Sequence, residues 1–241
     1  KRNLNELYKG HFMKKKPLII LTGPTAVGKT ALSIRLAKAV NGEIISADSM
    51  QVYKGMDIGS AKITKEEMEG VPHHLIDVLE PSEEFNIVKF QELSKKALDE
   101  IYAKGKLPII TGGTGFYIQS ILYDIAFDNN ENNKTYRTKL ETLAREEGGT
   151  TKLFEMLKKV DPESAKIIHA NNVKRVIRAL EYYEETKTPI SLHNEEQREK
   201  ESPYNFCYFV LNDEREQLYK NIDKRVDSMF ETGLLEEVKT L

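Results

Sequence analysis

Among 241 residues there is a single cysteine, Cys207. One thiol cannot close an internal disulfide, and it cannot build a multi-cysteine zinc site. Cys207 sits in the apolar run 206–211, so it is expected as a buried structural thiol and not as a nucleophile. No apolar run approaches the roughly 20 residues that a membrane span needs, and no secretory signal pattern opens the chain. These signs favour the cytoplasm and no membrane partner. Neither sign of charge dominates: the formal net charge is −2, which argues against wholesale coating of nucleic acid. An Asn-Lys-x-Asp motif for reading guanine is also missing, which weakens a GTP-dependent switch. What remains is ample for a core, since 39% of residues are hydrophobic and 31% charged.

The richest local signal is Gly23-Pro24-Thr25-Ala26-Val27-Gly28-Lys29-Thr30, a complete phosphate-binding loop. An apolar run of strand length, 17–21, precedes it, and residues 30–39 follow with apolar side chains at helical spacing. Gly23 and Gly28 let the backbone turn so that successive N–H groups converge on an anion. The helix start adds its dipole, Lys29 adds a full positive charge, and the Thr30 hydroxyl is placed to hold Mg²⁺. A plain Gly-Pro turn would not explain Lys29-Thr30 directly after Gly28. The ligand therefore carries a diphosphate or polyphosphate.

The helix after the loop stops at Asn41-Gly42, and 43–47 reads as a second strand that delivers Asp48-Ser49-Met50-Gln51 to a loop. A helical pattern over 85–103 ends at Lys104-Gly105-Lys106, and a third buried strand, 107–110, enters Gly112-Gly113-Thr114-Gly115 and a helix over 116–122. Strand and helix alternating with short connections predict an α/β fold, a P-loop NTPase-like parallel sheet flanked by helices. Ligands of such sheets bind at the carboxyl ends of the strands. Three loops meet there: the phosphate loop, Asp48 and the Gly-Gly-Thr-Gly turn.

From about residue 125 the pattern changes. A polar hinge-like stretch, 128–133, leads to charged amphipathic helices at 135–147, 151–160, 163–168 and 173–186. Strand character returns at 205–211, followed by helices at 214–229 and 234–241 expected to return to the core. The division expected is a core of 14–124 and 204–241 with an inserted all-helical domain at 125–203. Met13-Lys14-Lys15-Lys16 reads as a natural start, so 1–13 is expected to be a leader foreign to the fold or disordered. The last helix runs uncapped to Leu241, which reads as a truncation.

Several side chains then carry more than one reading. Asp48 is a magnesium-associated carboxylate, a general base, or a cap for the turn at Ser49 and Met50. Thr114 offers a hydroxyl where glycines allow a ligand close to the backbone. His73 and His74 read as loop residues without metal-site spacing. Between Lys134 and Arg178 there are eleven Lys and Arg against six Asp and Glu; between Glu181 and Glu201 there are three against seven. The basic stretch contains Lys174-Arg175 and Arg178, with Arg175 and Arg178 on one helical face, suited to phosphates or to pairing with Glu181 and Glu184.

Taken together, the phosphate loop, the block 45–62 with Asp48-Ser49-Met50-Gln51 and Tyr53-Lys54-Gly55-Met56-Asp57-Ile58-Gly59, Pro72–Asp77, Gly112–Tyr117 and Asn171–Glu181 resemble, in order, the tRNA dimethylallyltransferase (isopentenyl-tRNA transferase) family of the bacterial type. The resemblance covers about 17–240. It implies transfer of a dimethylallyl group from dimethylallyl diphosphate to N6 of the adenosine just 3′ of a tRNA anticodon. Gly23, Thr25, Ala26, Val27, Gly28, Lys29 and Thr30 would bind the diphosphate with Mg²⁺, aided by Arg225. Asp48 would take the N6 proton, and Thr114 would place the adenine. Asp48, Ser49, Met50 and Gln51 would line the flipped-out nucleotide. Arg137, Lys174, Arg175, Val176, Ile177 and Arg178 would grip the anticodon stem-loop. A monomer is the expected state. The rival reading is an ATP-dependent small-molecule or nucleoside kinase, with 125–203 as a lid.

Overall fold

The computed structural model describes residues 15–126 and 134–241, the side chains of Lys134 and Arg198 apart. The leader expected over 1–13 and the polar stretch 128–133 lie outside the described residues. By its contacts the chain divides into two compact units, one holding the described residues up to Ile125 together with Ser202–Leu241, the other Ala126–Glu201.

The first unit is built on five parallel strands, β1 (Lys16–Thr22), β2 (Gly42–Ala47), β3 (His73–His74), β4 (Leu107–Gly112) and β5 (Tyr204–Val210). Their order in the sheet is β3-β2-β4-β1-β5. Three crossover helices follow strands: α1 (Lys29–Val40), α2 (Ile87–Ala103) and α3 (Gly115–Leu122). Adjacent residues of β2 serve opposite layers, as the period of a strand requires. Ile44 packs with Ile34, Ala37 and Ile109 on the α1 face. Ile45 packs with Leu18, Ile20 and Ile110 against Phe90, Leu98 and Ile118 of α2 and α3. A central strand covered on both faces buries all six of its residues. Each fully buried Leu or Ile there contributes about 1.5–3 kcal/mol.

Local chemistry sets the helix ends. Asn41, in the left-handed region at φ 53°, ends α1 by donating its N–H to the Ala37 carbonyl. Asn86 opens α2 by accepting from the Lys89 N–H at 3.0 Å. At the amino ends of β2 and β4, Glu43 is 1% exposed and meets Lys104, Lys106 and His74.

Two expectations change here. His73 and His74 are not loop residues but the edge strand β3, paired to Ile44 and Ile45; two residues are too short a run to show strand periodicity. Cys207 is exposed, not buried. It lies on β5, the opposite edge, where Tyr208, Phe209 and Val210 are exposed too. An apolar run marks a strand but does not show which strands are covered.

The carboxyl-terminal helices α9 (Arg215–Glu231) and α10 (Leu234–Thr240) belong to the sheet unit but bury no residue of their own. They reach it through polar anchors described below.

The second unit is helical: α4 (Lys134–Arg145), α5 (Gly149–Val160), α6 (Pro162–Ile167), α7 (Val173–Thr186) and α8 (Ile190–Glu199). Its own core gathers Leu140, Leu153, Leu157, Ile168, Val176, Ile177 and Leu180. Asp161 is fully buried; its Oδ1 accepts from the Ser164 N–H at 2.9 Å and the Ser191 hydroxyl at 2.6 Å, and its Oδ2 from the Ser191 N–H at 2.9 Å. That carboxylate caps α6 and ties it to α8, an element with no expected counterpart in the sequence.

Candidate active site

Strand pairing places the three expected loops side by side. Thr22 is in register with Gly112, and Gly112 with Ala47, so the residues that follow, Gly23, Gly113 and Asp48, leave adjacent strands at the carboxyl end of the sheet. The approach is tight enough to demand glycine: a Cβ on Gly112 would lie 2.3 Å from the Ala47 carbonyl oxygen, and one on Gly23 would lie 2.5 Å from that of Leu211. Thr22 adds a cross-strand tie, its hydroxyl donating to the Gly112 carbonyl at 3.0 Å.

The phosphate loop turns through left-handed Ala26 and Gly28, at φ 62° and 91°. Gly28 is the N-cap of α1 and supplies no side-chain cap, which leaves the first-turn amides and the positive dipole end of the helix suited to an anion. Lys29 Nζ donates to the carbonyls of Gly23 at 2.8 Å and Pro24 at 2.7 Å. Burial lowers the Lys29 pKa from the ordinary lysine value, the positive charge of Arg225 lowers it further, and Asp48 pulls it back. Lys29, Arg225 and Asp48 therefore share one electrostatic site, although they come from three parts of the chain. Thr30 stands exposed in the first turn of α1.

Asp48 Oδ1 accepts from the backbone N–H groups of Met50 at 2.8 Å and Gln51 at 3.3 Å. The capping reading is thus realised, and it orients the carboxylate while Oδ2 keeps no partner among the described residues. Gln51 is held in turn: its Nε2 donates to the carbonyls of Ser60 at 3.4 Å and Ala61 at 3.2 Å. Met50 is 45% exposed beside it, and Ser49 is half-buried. Thr114 is the N-cap of α3 and its hydroxyl makes no capping bond.

Three residues outside the expected set support this end of the sheet. Asn221 Nδ2 donates to the Ala26 carbonyl at 3.2 Å, one helical turn before Arg225, and so brings α9 to the phosphate loop. Lys62, its side chain 4% exposed, donates to the Tyr53 carbonyl at 2.6 Å and to Asp57 at 2.6 Å, and also pairs with Asp77. Burial pulls its pKa down, and the bonds to Asp57 and Asp77 together more than offset that and leave it raised. Glu237 of α10 holds the turn at 57–59. The i, i+4 spacing of Asn221 and Arg225 is a usable sequence signal; Glu237 offers none.

On the helical unit, α7 divides cleanly. Lys174, Arg175 and Arg178 are exposed and form no ion pair among the described residues. Val176 and Ile177 are only 1% and 3% exposed and pack in the unit's core, which removes their side chains from the RNA-contacting set. Helical geometry is the reason: they lie about 100° and 200° round from Arg175. Arg137 is partly committed, its Nε donating to Glu141 at 2.9 Å and a terminal nitrogen reaching the buried Glu181 at 3.4 Å. Burial raises the Glu181 pKa, while Arg137 and then Arg178 lower it.

No cluster of three His, Cys, Asp or Glu suited to a metal occurs among the described residues, and no helix there is long and apolar enough to cross a membrane.

Known proteins match this arrangement over most of the chain. The family model described as IPP transferase matches residues 51–241. A tRNA dimethylallyltransferase of Lachnoclostridium phytofermentans is 64% identical over 223 residues, covering 92% of this chain and 71% of the relative. The full-length tRNA isopentenylpyrophosphate transferase of Bacillus halodurans is 46% identical with a TM-score of 0.65, covering 95% of this chain and 70% of that one. A eukaryotic dimethylallyltransferase acting on tRNA is 36% identical with a TM-score of 0.83, covering 93% of this chain and 55% of that one. By sequence and by fold, the chain belongs to the IPP transferase family, that of the tRNA dimethylallyltransferases.

Proposed function

We propose that this protein transfers the dimethylallyl group of dimethylallyl diphosphate to N6 of the adenosine 3′-adjacent to a tRNA anticodon, releasing diphosphate. The observation that carries the reading is the grouping of an uncapped helix start, Lys29 and Arg225 beside a carboxylate, Asp48. An anion-binding cradle explains a diphosphate leaving group, and a carboxylate at its edge explains a proton acceptor. A kinase would use the cradle equally well, but the relatives named above favour the transferase.

The donor's diphosphate sits on the amides of 25–30, with the Lys29 ammonium exchanging loop carbonyls for phosphate oxygens. Arg225 adds a second cation as charge develops on the departing group. Thr30 is suited to Mg²⁺ in the manner of a single hydroxyl combined with substrate phosphates and water, a mode that requires no carboxylate cluster. When bound, the ion would neutralise part of the diphosphate charge. As N6 attacks the allylic carbon, the C–O bond to diphosphate breaks, and Asp48 takes the proton lost by the amine. Thr114, with its hydroxyl uncommitted to a cap, orients the adenine. Ser49, Met50 and Gln51 line the extruded nucleotide, because a stacked base could not reach a strand-end site.

The helical unit, Ala126–Glu201, is the part we assign to the anticodon stem-loop, through Lys174, Arg175 and Arg178 with Arg137 secondary. Incubation with unmodified tRNA and dimethylallyl diphosphate, followed by nucleoside mass spectrometry, is expected to yield dimethylallyl-adenosine. Phosphoryl transfer from ATP to a metabolite with no prenylated nucleoside would overturn the reading.

A further inference from the structure

Glu237 makes an unusual set of contacts for a residue of a helix that buries nothing. Its Oε2 accepts from the backbone N–H groups of Asp57 at 2.8 Å and Ile58 at 2.6 Å, and its Oε1 from that of Gly59 at 2.9 Å. Three successive amides on one carboxylate form a charge-assisted clamp. The fit is close: a Cβ on Gly59 would come within 3.2 Å of Leu234 Cδ1 and 3.4 Å of Glu237 Oε1. Burial raises the Glu237 pKa, but the three amides and the nearby Lys62 outweigh it and leave it lowered, so the clamp is ionised at neutral pH.

What is clamped leads back to the reacting carboxylate. The Ile58 and Asp57 carbonyls accept from the N–H groups of Ala61 and Lys62, both at 2.9 Å. The Ser60 and Ala61 carbonyls hold the Gln51 side chain, and the Gln51 backbone N–H donates to Asp48. In the other direction, Gly233 joins α10 to α9, whose Asn221 grips the phosphate loop and whose Arg225 lies within electrostatic reach of Lys29. The two carboxyl-terminal helices thus form a strap pinned at both ends.

We propose that Glu237 is a positioning residue for the transfer: it fixes the loop that carries Asp48 and, through the same strap, the helix that carries Arg225. This rests on the transfer reaction proposed above. Glu237→Ala is expected to lower kcat about 10- to 100-fold, the scale of a small misplacement of reacting groups, with KM for tRNA unchanged and the enzyme still folded at the assay temperature. Glu237→Gln, which keeps a carbonyl oxygen for two of the amides, is expected to recover most of the rate. Gly59→Ala, which crowds the same contact, is expected to act in the same direction and more weakly.

Affinity for inorganic pyrophosphate, measured by calorimetry, gives a readout independent of turnover and is expected to weaken several-fold in Glu237→Ala. If wild-type protein transfers dimethylallyl groups while Glu237→Ala matches it in kcat and in pyrophosphate affinity, the positioning role is wrong and the reaction stands. A rate loss accounted for by a lower active fraction or melting temperature, with no recovery in Glu237→Gln, also overturns it. If the wild type transfers nothing yet Glu237→Ala still weakens pyrophosphate binding, the reaction is wrong and the strap stands.

Discussion

At the amino ends of its strands the sheet surrounds Glu43 with Lys104, Lys106 and His74, and the carboxyl is driven down to about 2. Burial opposes that shift and the cationic partners more than offset it. At the carboxyl ends the same sheet gathers Lys29, Arg225 and Asp48, yet leaves each with capacity to spare. Lys29 bonds only backbone carbonyls, and Asp48 commits one oxygen to its own turn. Both ends are charged, and only one is satisfied. A charge whose partners are all in place stabilises the fold; charges grouped without full partners point to a ligand that supplies them.

The sharpest test of this contrast is at Asp48. Asp48→Ala is expected to reduce transfer on the order of 10²–10⁴-fold, the range for a lost general base, with tRNA affinity nearly unchanged. Single-turnover kinetics with saturating tRNA measure it, and full activity would mean that another group takes the proton. Next come Lys29→Ala and Arg225→Ala, expected to cost about 10²–10³-fold each in kcat, as removal of one preorganised charge-stabilising group does. Pyrophosphate binding should weaken alongside, and a change confined to tRNA affinity would place the anion elsewhere.

At the satisfied end the opposite pattern is expected. Glu43→Ala should lower stability by about 3 kcal/mol, the lower end of what breaking a buried ion pair costs, because Lys104 can turn towards water. Activity per folded molecule should persist. The carboxyl titrates at about 2 in the folded chain against 4.5 in its ordinary state. Its stabilisation is therefore present above about pH 4.5 and drains away as pH falls towards 2. Urea melts across that window should show a shallower acid loss in Glu43→Ala than in wild type. The smallest effect concerns the helical unit. Arg175→Ala with Arg178→Ala should weaken tRNA binding and reduce the salt slope by roughly 0.7–0.9 for each phosphate that is no longer neutralised; an unchanged slope would remove α7 from the RNA.

The phosphate loop and the parallel sheet are legible in the sequence because glycines and strand-length apolar runs punctuate them, and the carboxyl-end rule then brings three distant loops together. What escapes is non-local. Helix α8 carries the acidic, polar sequence 190–199 and is anchored at its start by Asp161 and Ser191, thirty residues apart, with Ile190 packed on the unit's core. Cys207 reads as buried because composition cannot tell an edge strand from a central one. Val176 and Ile177 read together with their basic neighbours, although helical periodicity turns them inward. Asn221 and Glu237 reach partners 195 and about 180 residues away, and no local pattern announces such contacts.

Every step of the chemistry depends on the strand-end cradle holding an allylic diphosphate. Calorimetric titration with dimethylallyl diphosphate and with ATP, each with Mg²⁺, addresses that point without reference to turnover. One site for the prenyl compound is expected, lost in Lys29→Ala and Arg225→Ala and retained in Glu43→Ala. Tight, Lys29-dependent binding of ATP with no binding of the prenyl compound would refute it.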